Sequence, residues 1–352
     1  WIGCNVQLLM FGVGVGIRVG GTGVGGGTAV VVPVATAATN VGSTSFTANW
    51  NVFSGANYYL LDVSLSSSFS TFVLQDAVAV TNSYNVTGLT SNTTYYYRVR
   101  AVTGSDSDAM AFVNRVYTAG GVLSYNEVTA TNQLVLDLKS YSIWTKMKAI
   151  YPMVGASAAA CAQNLVSSSF TGTFNGGWTY ASTGVTPNGT NGYMDTKLNS
   201  STVLGLNNTH VSVYLRTDID DTSTDIGNFQ SNVAGINIYP RLSNLLYVRI
   251  NDEDLNTISN SSSKKYFIAS RISSTNKNIY INNVKNTITN NSVSLVNNTL
   301  YLGALNDTVL GARYFSQRQN AFASIGDGLT DTEASNLYTA VQAMQVSLSR
   351  NV

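Results

Sequence analysis

Four aspartates between residues 218 and 225 form the densest group of charged side chains in the sequence. Asp218, Asp220, Asp221 and Asp225 follow a segment with the composition of a β-strand. Calcium is bound by about six to eight oxygen ligands, many of them carboxylates in loops. The spacing indicates a candidate calcium site, the one cofactor that the sequence suggests. The alternative is a solvated acidic loop.

Glycosidase chemistry usually needs two carboxylates about 5–10 Å apart. The only glutamates are Glu127, Glu253 and Glu333. Glu333 is placed to cap a helix and Glu127 lies in a predicted connector. Glu253 belongs to the acidic run 251–254, which is predicted to be a polar turn. No strand carries closely spaced acids, so a glycosidase is not predicted.

The sequence also lacks the residues that nucleophilic catalysis or a zinc site would need. His210 is the only histidine, and we predict a half-buried position at the edge of a strand. A catalytic triad or a zinc site would need it together with several further ligands. Cys4 and Cys161 are predicted to be unpaired thiols. The chain is therefore predicted not to be an enzyme.

Three aromatic residues in a Gly/Asn-rich stretch are candidates for ligand binding. Trp178, Tyr180 and Tyr193 could stack their rings on sugars, although the same alternation suits core positions.

The composition of the 352 residues limits the classes of protein to which this chain could belong. Charged residues make up 11% and hydrophobic residues 44%, and the formal net charge is +1. Disordered chains combine low hydrophobicity with high net charge, so this composition does not indicate disorder. A basic surface for nucleic acid is not indicated, and no apolar run is long enough to span a membrane.

Residues 1–32 are rich in Gly and Val, and glycine supplies no side chain for a core. We predict an arm that is either a flexible tether or an anchor ordered by other chains.

Residues 33–118 show short alternating segments separated by turn signals, which indicates an antiparallel β-sandwich. Trp50, which closes one such segment, and the run 89–101 resemble the fibronectin type III family. The resemblance implies that Tyr95 is a corner tyrosine whose hydroxyl meets the backbone near Leu89. It also implies three inward residues on the following strand: Tyr97, Val99 and Ala101.

Residues 119–150 are predicted to be a connector with one amphipathic helix over residues 134–150. Strand-like runs then continue to about residue 326 and predict a large jelly roll. Thr330 and Glu333 form a capping box before an apolar stripe, which predicts a C-terminal helix.

The second region, residues 151–352 with the preceding connector, resembles concanavalin-A-like, laminin-G-like domains of tailed-phage virion proteins. The residues that carry this resemblance are 144–152, 187–193 and 324–330. The predicted fold is all-β, with a fibronectin-III-like sandwich, a concanavalin-A-like jelly roll and a C-terminal helix.

The resemblance implies a bacteriophage fibre, decoration or tail-associated protein on the virion surface. Residues 1–32 would bind other virion proteins, and the sandwiches would meet host or mucosal glycans. By analogy with such fibres, a homotrimer is expected. The alternative is a secreted or cell-surface bacterial carbohydrate-binding protein.

Overall fold

The computed structural model describes residues 30–31 and 33–352. The arm predicted over residues 1–32 lies, apart from Val30 and Val31, outside these residues, as does Cys4. The chain divides into two compact units between Met110 and Ala111.

The first unit is a β-sandwich. Its sheets have the strand orders β1-β7-β4-β5 and β2-β3-β6. The strands are β1 (Val30–Val31), β2 (Ala35–Thr39), β3 (Phe46–Trp50), β4 (Tyr58–Ser64), β5 (Leu74–Ala79), β6 (Ser83–Val86) and β7 (Tyr96–Val102).

The core of the first unit contains Trp50 and the three residues that the fibronectin type III resemblance places inward. Trp50 is 1% exposed and packs 5.4 Å from the Tyr59 ring. Tyr97, Val99 and Ala101 are all buried. These positions share one face of β7 because successive side chains of a strand point to opposite sides.

The corner tyrosine is confirmed. Tyr95 is 4% exposed, and its hydroxyl accepts a hydrogen bond of 2.9 Å from the Thr90 amide, next to Leu89. This contact fixes the turn that precedes β7.

The predicted helix over residues 134–150 is wrong in its bounds. The helices are α1 (Ser107–Thr118), α2 (Tyr125–Ser140), α3 (Ala158–Cys161), α4 (Ser200–Val203) and α5 (Asp331–Ser347), with a 3-10 turn at Trp144–Lys146. Helix α2 ends early because Ser142 takes a left-handed conformation, with φ of 58°. The run 147–151 is a buried strand, which periodicity alone does not separate from a helix.

The second unit is a two-sheet jelly roll. Its strands are β8 (Met147–Tyr151), β9 (Thr173–Asn175), β10 (Trp178–Ala181), β11 (Gly184–Pro187), β12 (Tyr193–Asn199), β13 (Thr209–Leu215), β14 (Ile226–Gln230), β15 (Ala234–Leu242), β16 (Leu245–Asp252), β17 (Asn256–Ser259), β18 (Tyr266–Arg271), β19 (Asn276–Ile281), β20 (Val284–Thr289), β21 (Thr299–Leu302), β22 (Leu305–Asp307), β23 (Gly311–Arg313) and β24 (Asn320–Gly326).

We name the two sheets by what lies on their outer faces. The helix-side sheet has eight strands in the order β10-β11-β24-β13-β18-β19-β20, with β8 beside β24. The open sheet has nine, ordered β17-β16-β15-β14-β21-β12-β9, with β22 paired to β14 and β23 paired to β22. Alternate residues of both sheets bury an apolar core between them, and this includes Val213, Phe267, Leu246 and Val248.

Helix α5 covers the outer face of the helix-side sheet. The Tyr338 ring stacks on Tyr266 at 6.2 Å, and the Tyr214 hydroxyl donates a bond of 2.8 Å to Gln342. The predicted capping box is present at Thr330 and Glu333. Among the described residues, no helix is long and apolar enough to cross a membrane.

Candidate functional site

His210 is fully buried in β13, within the helix-side sheet, which corrects the predicted half-buried edge position. Its Nδ1 lies 2.6 Å from the Asp327 carbonyl oxygen and therefore carries the proton. Nε2 then accepts from the Ser324 hydroxyl at 3.1 Å. Burial lowers the His210 pKa to about 4, so the ring is neutral.

This serine–histidine pair has the contacts of a nucleophile and its base, but it is sealed from solvent. Ser324 and His210 are both 0% exposed. The Ser324 hydroxyl also contacts that of Ser212 at 2.6 Å, and Ser212 accepts from Tyr266. The chain of hydrogen bonds satisfies polar groups beneath α5, and a substrate has no access to it.

The four aspartates proposed to bind calcium are engaged by two arginines. Arg241 contacts Asp218 at 3.1 Å and Asp220 at 3.5 Å. Arg318, which is 0% exposed, contacts Asp221 at 2.5 Å and Asp225 at 3.1 Å. No group of three or more acidic, His or Cys side chains among the described residues is arranged to hold a metal. This arrangement gives no support to a calcium site.

The predicted polar turn over residues 251–254 is confirmed for Glu253 and Asp254, which are exposed between β16 and β17, and is wrong for the buried strand residues Asn251 and Asp252. Asp252 ends strand β16 and is 1% exposed. Its Oδ2 lies 2.7 Å from both Arg271 Nη2 and Lys277 Nζ. The two cations belong to the helix-side sheet, so the three charges join the two sheets through the core.

Trp178 and Tyr180 lie at the margin of the core and not on an exposed face. Both pack against the core cluster and against Phe174, with ring centroids at 4.9 and 5.1 Å in edge-to-face geometry. Trp178 Nε1 donates to the Asn175 carbonyl at 3.0 Å. Their rings are therefore used in packing, as the alternative interpretation predicted.

Tyr193 lies elsewhere, on the outer face of the open sheet. The next residue, Met194, points into the core, so Tyr193 points outward. Its ring stacks on Tyr301 at 4.4 Å with an angle of 19° between the planes. Tyr193 therefore points away from the core against which Trp178 and Tyr180 pack, and the three rings do not share one face.

A second aromatic group occupies the same outer face, and we call it the tyrosine–arginine patch. Tyr239 and Tyr247 are directly paired across β15 and β16. Tyr314, which is 40% exposed, packs edge-to-face on Tyr239 at 5.7 Å. The patch comprises Phe229, Tyr239, Tyr247, Arg249, Arg313 and Tyr314.

Both arginines of the patch lie over aromatic rings. The Arg249 guanidinium is 4.6 Å from the Phe229 centroid, and that of Arg313 is 4.7 Å from the Tyr314 centroid. Gly235 makes the first contact feasible, because a Cβ there would lie 3.0 Å from Arg249 Cδ and 3.1 Å from the Phe229 ring. Burial raises the pKa of Tyr239 and lowers that of Arg249.

The patch combines ring faces with hydrogen-bond donors, which is the combination that recognises polyhydroxylated ligands. Of the aromatic residues predicted from the sequence to bind a ligand, Tyr193 alone lies on this face. The signal for Tyr247 and Arg249 is present in the run 246–250, where they alternate with apolar residues. Nothing local indicates that Tyr314 would join them.

Two of the three glutamates cap helices, and the third is exposed in a turn. Glu127 caps α2 by accepting from the Ser124 amide at 2.8 Å, and it also accepts from the Gly155 amide. Glu333 caps α5 and contacts Lys146 Nζ at 2.6 Å. Glu253 is exposed at the end of β16.

Comparison with known proteins gives one family match. Residues 32–112 match the fibronectin type III domain. No curated protein sequence matches the chain.

Several solved structures resemble part of the chain. Domain 4 of an extracellular arabinanase from Geobacillus stearothermophilus, solved with arabinotriose, has 15% identity and a TM-score of 0.41, covering 56% of this chain and 98% of that one. For the botulinum neurotoxin serotype D binding domain the identity is 11% and the TM-score 0.37, with coverage of 56% and 51%. For domains LG4–5 of the mouse laminin α1 chain the values are 11% and 0.28, with 37% of each chain covered.

The fold rests on the strand order described above, together with the family match. The predicted fold class is confirmed: the chain is an all-β protein in which a fibronectin type III domain is followed by a jelly-roll sandwich.

Proposed function

We propose that the chain is a non-enzymatic adhesion protein whose second unit binds glycans on the outer face of the open sheet. The observation that carries this proposal is the tyrosine–arginine patch. Tyr314 presents an exposed ring, and Tyr247 is partly exposed beside the half-buried guanidinium of Arg249. Sugar rings stack their C–H faces on such aromatic rings, while guanidinium groups bind the hydroxyls.

The two sheets differ in a way that favours this face. The outer face of the helix-side sheet is covered by α5, and its polar groups bond to one another. The tyrosine–arginine patch instead keeps aromatic surface in contact with solvent. Partly exposed aromatic clusters of this kind often mark binding sites.

A glycan-binding assay on the purified chain tests the proposal. Tyr314→Ala and Tyr247→Ala should each weaken binding about tenfold, since aromatic stacking contributes on the order of 1–2 kcal/mol. Tyr84→Ala, in the first unit, is the matched control and should leave affinity unchanged. Equal affinity in all variants would contradict the assignment of the patch.

We further propose display on a bacteriophage virion, as a homotrimeric fibre or decoration protein anchored by its Gly/Val-rich arm. The composition of residues 1–32 and the charge-poor sequence support this proposal. The alternative remains a secreted or cell-surface bacterial carbohydrate-binding protein. On a virion, the copy number of the displayed protein would strengthen weak single-site binding.

Light scattering tests the assembly role of the arm. Val30 and Val31 pair with β7, so the truncation must stop before them. We expect a trimer for the full chain and a monomer for a variant lacking residues 1–28. A monomer in both cases would contradict trimerisation through the arm.

A further inference from the structure

Arg249 differs from the other arginines on the outer face of the open sheet. Arg241 contacts Asp218 and Asp220, and Arg313 contacts Asp307 at 2.5 Å. Arg249 Nε donates to the Glu253 carbonyl at 2.8 Å and Nη1 to Asn237 Oδ1 at 3.3 Å. Both acceptors are neutral, and among the described residues no carboxylate forms an ion pair with Arg249.

The surrounding acids are either bound elsewhere or do not reach the guanidinium. Asp252 is held by Arg271 and Lys277 inside the core. Asp252 and Glu253 both interact with Arg249 electrostatically, but neither carboxylate forms an ion pair with it, and Arg249 contacts Glu253 through the backbone carbonyl. A half-buried cation without an anionic partner is costly, and an anion that reaches it gains a charge-assisted hydrogen bond.

The position of Arg249 relates that charge to the aromatic rings. Along β16, Tyr247 and Arg249 are two residues apart and therefore on the same face. Arg249 pairs across β15 with Asn237, and Tyr247 pairs with Tyr239. A sugar stacked on Tyr247 would place its substituents beside the guanidinium.

We infer that the glycan bound at the tyrosine–arginine patch is acidic, with a carboxylate or sulfate group that binds the Arg249 guanidinium. This inference rests on the proposed function, because it names the ligand class of the same site. Arg249 Nη2, which makes no hydrogen bond within the described chain, is the donor available to the anion. The aromatic rings stack on the sugar, and the arginine favours a sugar that carries a negative charge.

The experiment measures affinity of the full chain for matched pairs of polysaccharides. Polygalacturonate and galactan differ in carboxylates, and dextran sulfate and dextran differ in sulfates. We expect at least one acidic polymer to bind about tenfold more tightly than its neutral counterpart. Arg249→Met should remove that preference, and Arg249→Lys should retain part of it. Which acidic polymer binds identifies the anion.

Arg241→Met is the matched control, because it removes an already paired arginine from the same face. If Arg241→Met abolishes the preference for acidic polymers as strongly as Arg249→Met, the preference depends on the overall positive charge of the face, and the inference is overturned. Equal binding of neutral and acidic polymers, lost in Tyr247→Ala, would overturn the acidic ligand but keep the glycan site. Absence of binding to all four polymers would count against both proposals. Thermal unfolding of each variant confirms that it is folded.

Discussion

The two sheets of the second unit follow the same alternating pattern but use their outer faces differently. On the helix-side sheet the outward residues His210, Ser212 and Ser324 are completely buried and bond to one another. At the outer face of the open sheet, the strand residue Tyr247 and the nearby Tyr314 remain partly exposed. Polar groups that are buried must find partners inside the protein, whereas exposed groups remain available to a ligand.

Residue type alone therefore does not indicate function until the element that covers the face is known. Tyr266 and Tyr247 are both tyrosines on outward positions of central strands. The first stacks under α5 and the second does not. The same side chain is a packing element in one sheet and a candidate ligand contact in the other.

Removal of the Asp252 carboxylate breaks the buried ionic link between the two sheets and should have a large effect on stability. Asp252→Ala leaves Arg271 and Lys277 buried without their anion and should lower the free energy of unfolding by about 3–5 kcal/mol. Urea unfolding measures this loss. Asp195→Ala removes an ion pair with the exposed Lys197 on the outer face and should cost less than about 1 kcal/mol. Equal losses of unfolding free energy in the two variants would contradict the difference between the buried charge cluster and the exposed ion pair.

Burial of His210 on the covered face makes the free energy of unfolding depend on pH. The folded pKa of His210 is about 4, below the ordinary value of 6.5, so the unfolded chain binds the proton more readily. The contribution of His210 to the free energy of unfolding should therefore fall as the pH drops from about 6.5 to about 4, by up to roughly 3 kcal/mol. Urea unfolding across this range, with His210→Gln as comparison, isolates the contribution. A slope that is identical in both proteins would refute it.

The helix that creates the covered face depends on its cap. Thr330→Ala removes the hydroxyl that accepts from the Glu333 amide and should lower the free energy of unfolding by about 1 kcal/mol. Thr339→Ala, at an exposed position within the same helix, should change it by less than about 0.5 kcal/mol. Thermal unfolding of the two variants would disprove the role of the cap if Thr339→Ala were the more damaging.

Tyr247 and Leu246 are adjacent residues on opposite faces of β16 in the open sheet. Tyr247→Ala should cost less than about 1 kcal/mol, because the side chain is partly exposed and leaves no internal cavity. Its inward neighbour Leu246→Ala should cost about 2–5 kcal/mol. Urea unfolding of this adjacent pair measures how sharply the two faces of β16 differ. A large loss for Tyr247→Ala would show a packing role and weaken its assignment to a ligand.

Much of the local structure could be predicted from the sequence because it depends on near neighbours. The capping box at Thr330 spans three residues, and the Tyr95 hydroxyl meets the amide of Thr90 five residues away. Alternation along 246–250 separates inward from outward side chains for the same reason, since the period of a strand is set by its backbone.

Contacts between distant residues were decided by the tertiary structure alone. Arg318 reaches Asp225 across 93 positions of sequence, and this contact occupies a carboxylate that the sequence offered to calcium. Asp252 occurs in an acidic run typical of a turn, yet it is buried because Arg271 and Lys277 reach it through the core. A single strand specifies its two faces but carries no information on which element will cover either of them. The packing of α5 makes that choice, and it leaves the tyrosine–arginine patch available to a ligand.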